Sequence, residues 1–226
     1  MSSWNHIVSS VALLSICLIS VSVSLCTYCP LSTIHAVQVI DLGIVADAQS
    51  ELKARLLDAA RRCDVVVTSG GVSMGAADFV KPLLAELGTV HFGRLNMKPG
   101  KPTTFATILT DGGSGTPEKK TLFFGLPGNP VSCLVTKALM IDPCLRRLQG
   151  RSQSDSMHTQ VMATLDSDLK LDPERPEYHR AALTVDPMDG DVAVARSTGE
   201  VEGGPEVNGY CCHFWCCCCC CCCCCC

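Results

Sequence analysis

Apolar and polar positions follow two different periods along this chain, and the points where the period changes mark its elements. Val37-Gln38-Val39-Ile40-Asp41-Leu42-Gly43 is a short β-prone run ending in glycine. Beyond it Leu52, Leu56, Leu57 and Ala60 recur at helical spacing, with Glu51, Lys53, Arg55 and Arg61 mostly on other faces. That pattern predicts a helix with Asp47 as its N-cap. Val65-Val66-Val67 is apolar without alternation, as in a strand buried on both faces. Strand, helix and strand in this order predict a βαβ unit with a parallel sheet and a right-handed crossover. Phe79, Val80, Leu83, Leu84 and Leu87 predict a second amphipathic helix, stopped at Gly88. Thr89 to Leu95, Thr103 to Leu109 and Thr121 to Phe124 read as strands, with a turn over Asp111 to Lys119. Pro130 to Leu148 reads as a helix capped by Asn129, opened by Pro130 and closed by Gly150.

Past Arg151 the texture turns polar and β-like. Val161 to Leu165, Tyr178 to Val185 and Val192 to Arg196 predict three strands of a smaller domain. The expected organisation is an α/β domain over residues 37–150 and a partial β domain over 151–200. Residues 1–36 are expected to be a leader outside the domain. Val8 to Cys26 is apolar enough to suggest a signal-peptide core or a weak membrane span, but no Lys or Arg precedes it and serines interrupt it. Residues 201–226 are expected to be a disordered tail.

Composition sharpens two points. With 18 basic and 22 acidic side chains the net charge is −4, so the basic excess of a nucleic-acid binder is missing. Of 19 cysteines, most form the tail that ends in an unbroken run from Cys216 to Cys226. Without the two ends only Cys63, Cys133 and Cys144 remain, which suits a reducing compartment such as the cytosol and no disulfide framework.

The candidate chemistry lies in three loops expected at one edge of the sheet, where open parallel sheets bind ligands. In the first, the valine strand runs into Thr68-Ser69-Gly70-Gly71-Val72-Ser73, with Asp78 just before a helix. Paired glycines let backbone N–H groups approach an anion, and the hydroxyls add donors. The alternative is a tight turn that needs positive φ. A carboxylate beside an anion cradle calls for an intervening cation, so Asp78 suggests Mg²⁺, unless it is simply a first-turn acid. In the second loop, Met97-Lys98-Pro99-Gly100-Lys101-Pro102 holds two ammonium groups on a stiff backbone, suited to phosphate- or molybdate-like oxyanions or to an ordinary solvated turn. In the third, Leu126-Pro127-Gly128-Asn129-Pro130 repeats the strand, glycine loop and helix start. His91, in an apolar strand, reads as structural.

Together these stretches resemble the molybdopterin molybdenumtransferase family, the MoeA-like E domain also found in gephyrin. The match is specific over Val37 to Gly150 and continues weakly through Arg175-Pro176-Glu177-Tyr178-His179-Arg180 to Ser197-Thr198-Gly199. The resemblance implies a three-layer α/β domain of the MoaB/Mog type with a mostly parallel sheet, followed by a small β-barrel domain that is truncated here. It implies insertion of molybdate into adenylylated molybdopterin, with Mg²⁺-dependent hydrolysis of the adenylate. Asp78, Lys98 and Lys101 would be catalytic, with Asp78 the metal ligand. Thr68, Ser69, Gly70, Gly71, Ser73, Pro127, Gly128, Asn129 and Arg175 would bind substrate. Family members form homodimers partly through a region that residues 1–36 replace. The alternatives are the related molybdopterin adenylyltransferase, against which the lysine loop and the β-rich stretch argue, and a binding or scaffold fragment without catalysis. No nucleic-acid or membrane partner is expected.

Overall fold

In a computed structural model, residues 15–20, 37–45, 48–72, 79–111, 118–169, 171–185, 193–198 and 213–216 are described. The chain divides into two units, one of residues 1–94 and 102–156, the other of residues 95–101 and 157–226.

The first unit is built on a six-stranded sheet. Its strands are β1 (Ser15–Ser20), β2 (Gln38–Ile44), β3 (Val65–Ser69), β4 (Gly88–Phe92), β5 (Thr104–Thr110) and β6 (Lys119–Leu126), in the order β2-β1-β3-β6-β5-β4. The first four in that order run parallel, and β5 and β4 are antiparallel additions. Strict alternation sorts the side chains. Val66 and Phe123 face one layer, made by α1 (Gln49–Arg62) and α2 (Val80–Leu87), where Leu52, Leu56, Leu83 and Leu84 are buried. Val65, Val67 and Phe124 face the other layer, where Cys133, Ile141 and Leu145 are buried. Helices on both faces of a mostly parallel sheet are the expected three-layer α/β arrangement.

Three expectations for this unit are corrected. The leader was expected to lie outside the domain, yet Ser15–Ser20 is an internal strand between β2 and β3, with Leu18 only 1% exposed. The serines that made the run look unlike a membrane span do not prevent a six-residue strand, because it is paired along both sides with β2 and β3. The Ser15 N–H donates to Asp64 Oδ2 at 2.9 Å, and the Asp64 N–H donates to the Ser15 carbonyl at 2.9 Å. The crossover from β2 through α1 therefore skips a strand to reach β3. Second, the N-cap of α1 is Ala48, which makes no side-chain cap; Asp47 lies outside the described residues. Third, the long helix is not uniform. It runs as α3 (Pro130–Thr136), a π turn (Lys137–Ile141) and α4 (Asp142–Leu148). Lys137 Nζ reaches both carboxylate oxygens of Asp142 at 2.8 and 2.9 Å, and both side chains are nearly buried. Removing one partner of such a pair costs about 3–5 kcal/mol, far more than the roughly 0–1 kcal/mol of exposed pairs such as Arg62–Asp58.

His91 stacks on Phe105 with ring centroids 5.1 Å apart, and its Nε2 lies 3.0 Å from Thr107 Oγ1, a structural role as expected. Gly88 begins β4 directly. After α4 come Gly150, at φ +86°, and a short α5 (Gln153–Ser156).

The second unit contains a four-stranded sheet in the order β10-β8-β9-β7. Its strands are β7 (Ala163–Leu165), β8 (Tyr178–Val185), β9 (Ala193–Ser197) and β10 (His213–Cys216). The three predicted strands are present as β7, β8 and β9. The expected disordered tail is corrected at His213–Cys216, which pairs in parallel with Tyr178–Ala181. The rest of the tail lies outside the described residues. Among the described residues no helix is long and apolar enough to cross a membrane.

Candidate functional site

The glycine loop is shaped by its strand. All of β3 is buried, and the chain then needs left-handed backbone twice in succession, at Gly70 (φ +79°) and Gly71 (φ +67°). The Gly70 N–H donates to the Leu126 carbonyl at 3.0 Å, so the loop is anchored on the end of β6. Thr68 lies beside Gly125, which lies beside Thr104, a row across three strands at this edge. Both threonines are fully buried, and neither hydroxyl has a hydrogen-bond partner among the described residues. Gly125 is an opening into which Val72 fits: a Cβ placed there would meet Val72 Cγ1 at 2.7 Å. Ser69 is 4% exposed. Ser73 and Asp78 lie outside the described residues.

The third loop leaves the adjacent strand at the same edge. Pro127 is buried while Gly128 and Asn129 are exposed. Asn129 Oδ1 accepts from the N–H groups of Val131 at 2.9 Å and Ser132 at 3.2 Å, capping α3 as predicted. That commits the side-chain oxygen to the helix, where such caps are worth about 1 kcal/mol. The Cys133 thiol donates to the Pro127 carbonyl at 2.7 Å, and burial pushes its pKa up to about 11. It is a packed thiol rather than a nucleophile.

The lysine loop joins β4 to β5. Thr104, which begins β5 after the loop, pairs with Gly125 of β6. The middle of the loop, residues 95–101, belongs to the second unit. Lys98 forms an isolated parallel bridge with Glu177: the Lys98 N–H donates to the Pro176 carbonyl at 2.9 Å and the Tyr178 N–H to the Lys98 carbonyl at 2.8 Å. Asn96 Nδ2 donates to the Glu174 carbonyl at 3.3 Å. These contacts bring the lysine loop and the Arg175 segment together, far apart though they are in sequence.

Their charges are paired. Lys98 Nζ lies 2.6 Å from Glu177 Oε1, an ion pair rather than a well-aligned hydrogen bond. His179 Nε2 lies 2.8 Å from Glu177 Oε2. Burial raises the Glu177 pKa, but Lys98 and His179 outweigh it and hold the carboxyl below its ordinary value. Arg175 is paired with Asp172, through Nε at 3.0 Å and a close Nη2 contact. Hydrogen bonds from the Arg175 side chain and the Glu174 N–H bring the Asp172 pKa down to about 2. Lys101 is exposed and has no ion-pair partner among the described residues.

One acid titration follows. A carboxyl whose folded pKa is depressed adds stability that is complete above its unfolded value, near 3.8 for Asp172, and is lost as pH falls toward 2. The Asp172 carboxyl carbon shift is expected to titrate near pH 2 in wild type and at higher pH in an Arg175→Ala variant. An unchanged midpoint would refute the pairing.

Sequence reasoning missed Glu177, His179 and Asp172 as members of this charge cluster. Glu177 and His179 lie two residues apart beside a strand start, a same-side spacing that is a weak signal. Nothing local pointed to the pairing of Glu177 with Lys98. Among the described residues no cluster of three or more His, Cys, Asp or Glu side chains could hold a metal ion.

Comparison with known proteins decides the family. Residues 30–147 match the family model described as a probable molybdopterin binding domain. The chain belongs to the molybdopterin-binding domain family. This molybdopterin-binding domain is 48% identical over 168 residues to gephyrin from Dictyostelium discoideum, which covers 70% of this chain and 23% of that protein. It is 39% identical over 144 residues to molybdopterin molybdenumtransferase from Haemophilus influenzae, covering 63% and 33% of the two chains. Among solved structures it resembles the molybdopterin biosynthesis MoeA protein from Pyrococcus horikoshii, with a TM-score of 0.58 at 26% identity, over 81% of this chain and 45% of that one. The chain thus spans about a quarter to a third of the two curated relatives.

Proposed function

We propose that this protein acts in molybdenum cofactor synthesis as a molybdopterin molybdenumtransferase, taking adenylylated molybdopterin and molybdate and releasing AMP. The observation that carries the reading is the joining of Lys98, Lys101 and Arg175 in one unit by the Lys98–Glu177 bridge. Three cations drawn from two distant segments suit a small, multiply charged oxyanion better than a solvated turn does. The glycine loop at Thr68–Gly71 and the loop at Pro127–Asn129 would bind the pterin substrate, with the exposed Gly128 and Asn129 as its most accessible backbone. The lysines would offset charge on the molybdate and phosphate oxygens as the phosphoanhydride is cleaved. Mg²⁺, for which the candidate is Asp78, would supply further charge compensation. The reading includes a cytosolic location, a homodimer like those of the family, and a small β-barrel completing the second unit.

The test is titration of the full chain with sodium molybdate, alongside AMP release from adenylylated molybdopterin. Lys101→Ala is expected to weaken molybdate binding about tenfold, the loss of one charge-assisted hydrogen bond. Unchanged affinity would remove the oxyanion reading. Pyrophosphate formation from ATP and molybdopterin would instead identify the adenylyltransferase.

A further inference from the structure

We propose that Glu177 is a positioning residue for the lysine loop. Its buried carboxylate, held from behind by His179, tethers the Lys98 ammonium at the surface with its remaining N–H bonds free for an oxyanion. The proposal rests on the reading of Lys98 and Lys101 as oxyanion ligands.

The geometry divides the Lys98 side chain into a fixed and an available part. Its ammonium has three donors. Its nitrogen is ion-paired with Glu177 Oε1 at 2.6 Å, and the Glu177 side chain is only 5% exposed whereas that of Lys98 is 48% exposed. The other carboxylate oxygen is occupied by His179 Nε2 at 2.8 Å, which fixes the plane of the carboxylate. The backbone bridge between the same two residues fixes the other end of the lysine. Lysine loses more side-chain entropy on ordering than most residues. A tether formed in advance removes that cost from the binding step.

Stability alone is a poor reason for this arrangement. A buried carboxylate facing an ammonium rarely stabilises a fold more than an apolar pair of the same volume. Lys101, three residues on, is exposed and has no ion-pair partner among the described residues. The loop therefore presents one ammonium held by an ion pair and one, among the described residues, without such a partner. Arg175, whose charge also faces Glu177, is itself held by Asp172.

The experiment is a double-mutant cycle on the full chain, read as molybdate affinity for wild type, Glu177→Gln, Lys98→Ala and the double variant. Glu177→Gln is expected to weaken binding about fivefold, and that loss is expected to vanish in the Lys98→Ala background. Tighter binding would mean that Glu177 acts only as a counter-charge, and an equal loss in both backgrounds would mean a general structural role; either result overturns the proposal. A second measurement needs no ligand. Acetylation of each lysine, followed by peptide mass spectrometry, is expected to be slower at Lys98 than at Lys101 in wild type and equal in Glu177→Gln. Equal rates in wild type would rule out the tether whether or not molybdate binds. Slow acetylation of Lys98 without any molybdate binding would leave the tether standing and remove the oxyanion reading instead.

Discussion

A chain lacking residues 1–36 is expected to show no cooperative unfolding transition. The deletion looks harmless from the sequence, because the family resemblance starts at Val37 and the preceding run resembles a leader. In the fold it removes β1, an internal strand next to the edge strand β2. That strand pairs with β2 on one side and β3 on the other, from Ser15 beside Gln38 to Ser20 beside Ser69. Without it, β2 has no neighbour in the sheet, and β3 becomes an edge although all five of its residues are buried. The Asp64 carboxylate also loses the Ser15 N–H. A domain's total stability is only about 5–15 kcal/mol, so the loss of an internal strand with its pairing on both sides is expected to unfold it. Thermal melts followed by circular dichroism, with amide dispersion in NMR spectra, decide the point. A sharp transition within a few degrees of the full chain would show that β1 is dispensable. Leu18→Asp in the full chain should act in the same direction, because it places a carboxylate at a position 1% exposed.

The second large effect is expected at Gly125. Substitution by alanine adds one methyl group, but that methyl would sit 2.7 Å from Val72 Cγ1 and 3.2 Å from the Phe123 ring. Phe123 is fully buried and cannot give way, so Val72 must move, and with it the end of the Gly70–Gly71 loop. Overpacking of this kind costs roughly 1–3 kcal/mol. In a Val72→Ala background the same change should cost almost nothing more, since the colliding methyl is gone. Urea midpoints for the four chains measure this coupling. Additive penalties would mean that Val72 does not set the tolerance at Gly125.

Much of the first unit was legible because its physics is local. Val65-Val66-Val67 announced a strand buried on both faces, and its side chains do divide between two helical layers. Asn129 and Pro130 announced a capped helix start, and the cap is present. The π turn left no trace, because what defines it is a backbone bond, from the Asp142 N–H to the Lys137 carbonyl, that no residue type announces. Strand β1 was illegible because its runs of apolar and serine residues do not alternate, and the neighbours that recruit it lie later in the chain. At the site, the glycine loop could be read from its own residues. The Lys98–Glu177–His179 arrangement could not, because a tertiary bridge brings its members together.

The anchor of the Gly70–Gly71 loop also bears on folding order. The loop follows β3 directly, but the carbonyl that receives its N–H belongs to Leu126, and β3 pairs with β6 from Val65 beside Leu122 to Ser69 beside Leu126. Such long-range parallel pairing forms slowly, because the intervening chain must be ordered before the contact repays the entropy of closure. During synthesis the loop therefore leaves the ribosome well before its partner exists. A pause or truncation anywhere between residues 72 and 120 would leave a glycine turn with no carbonyl to hold it, so the proposed phosphate cradle takes shape late even though its residues are made early.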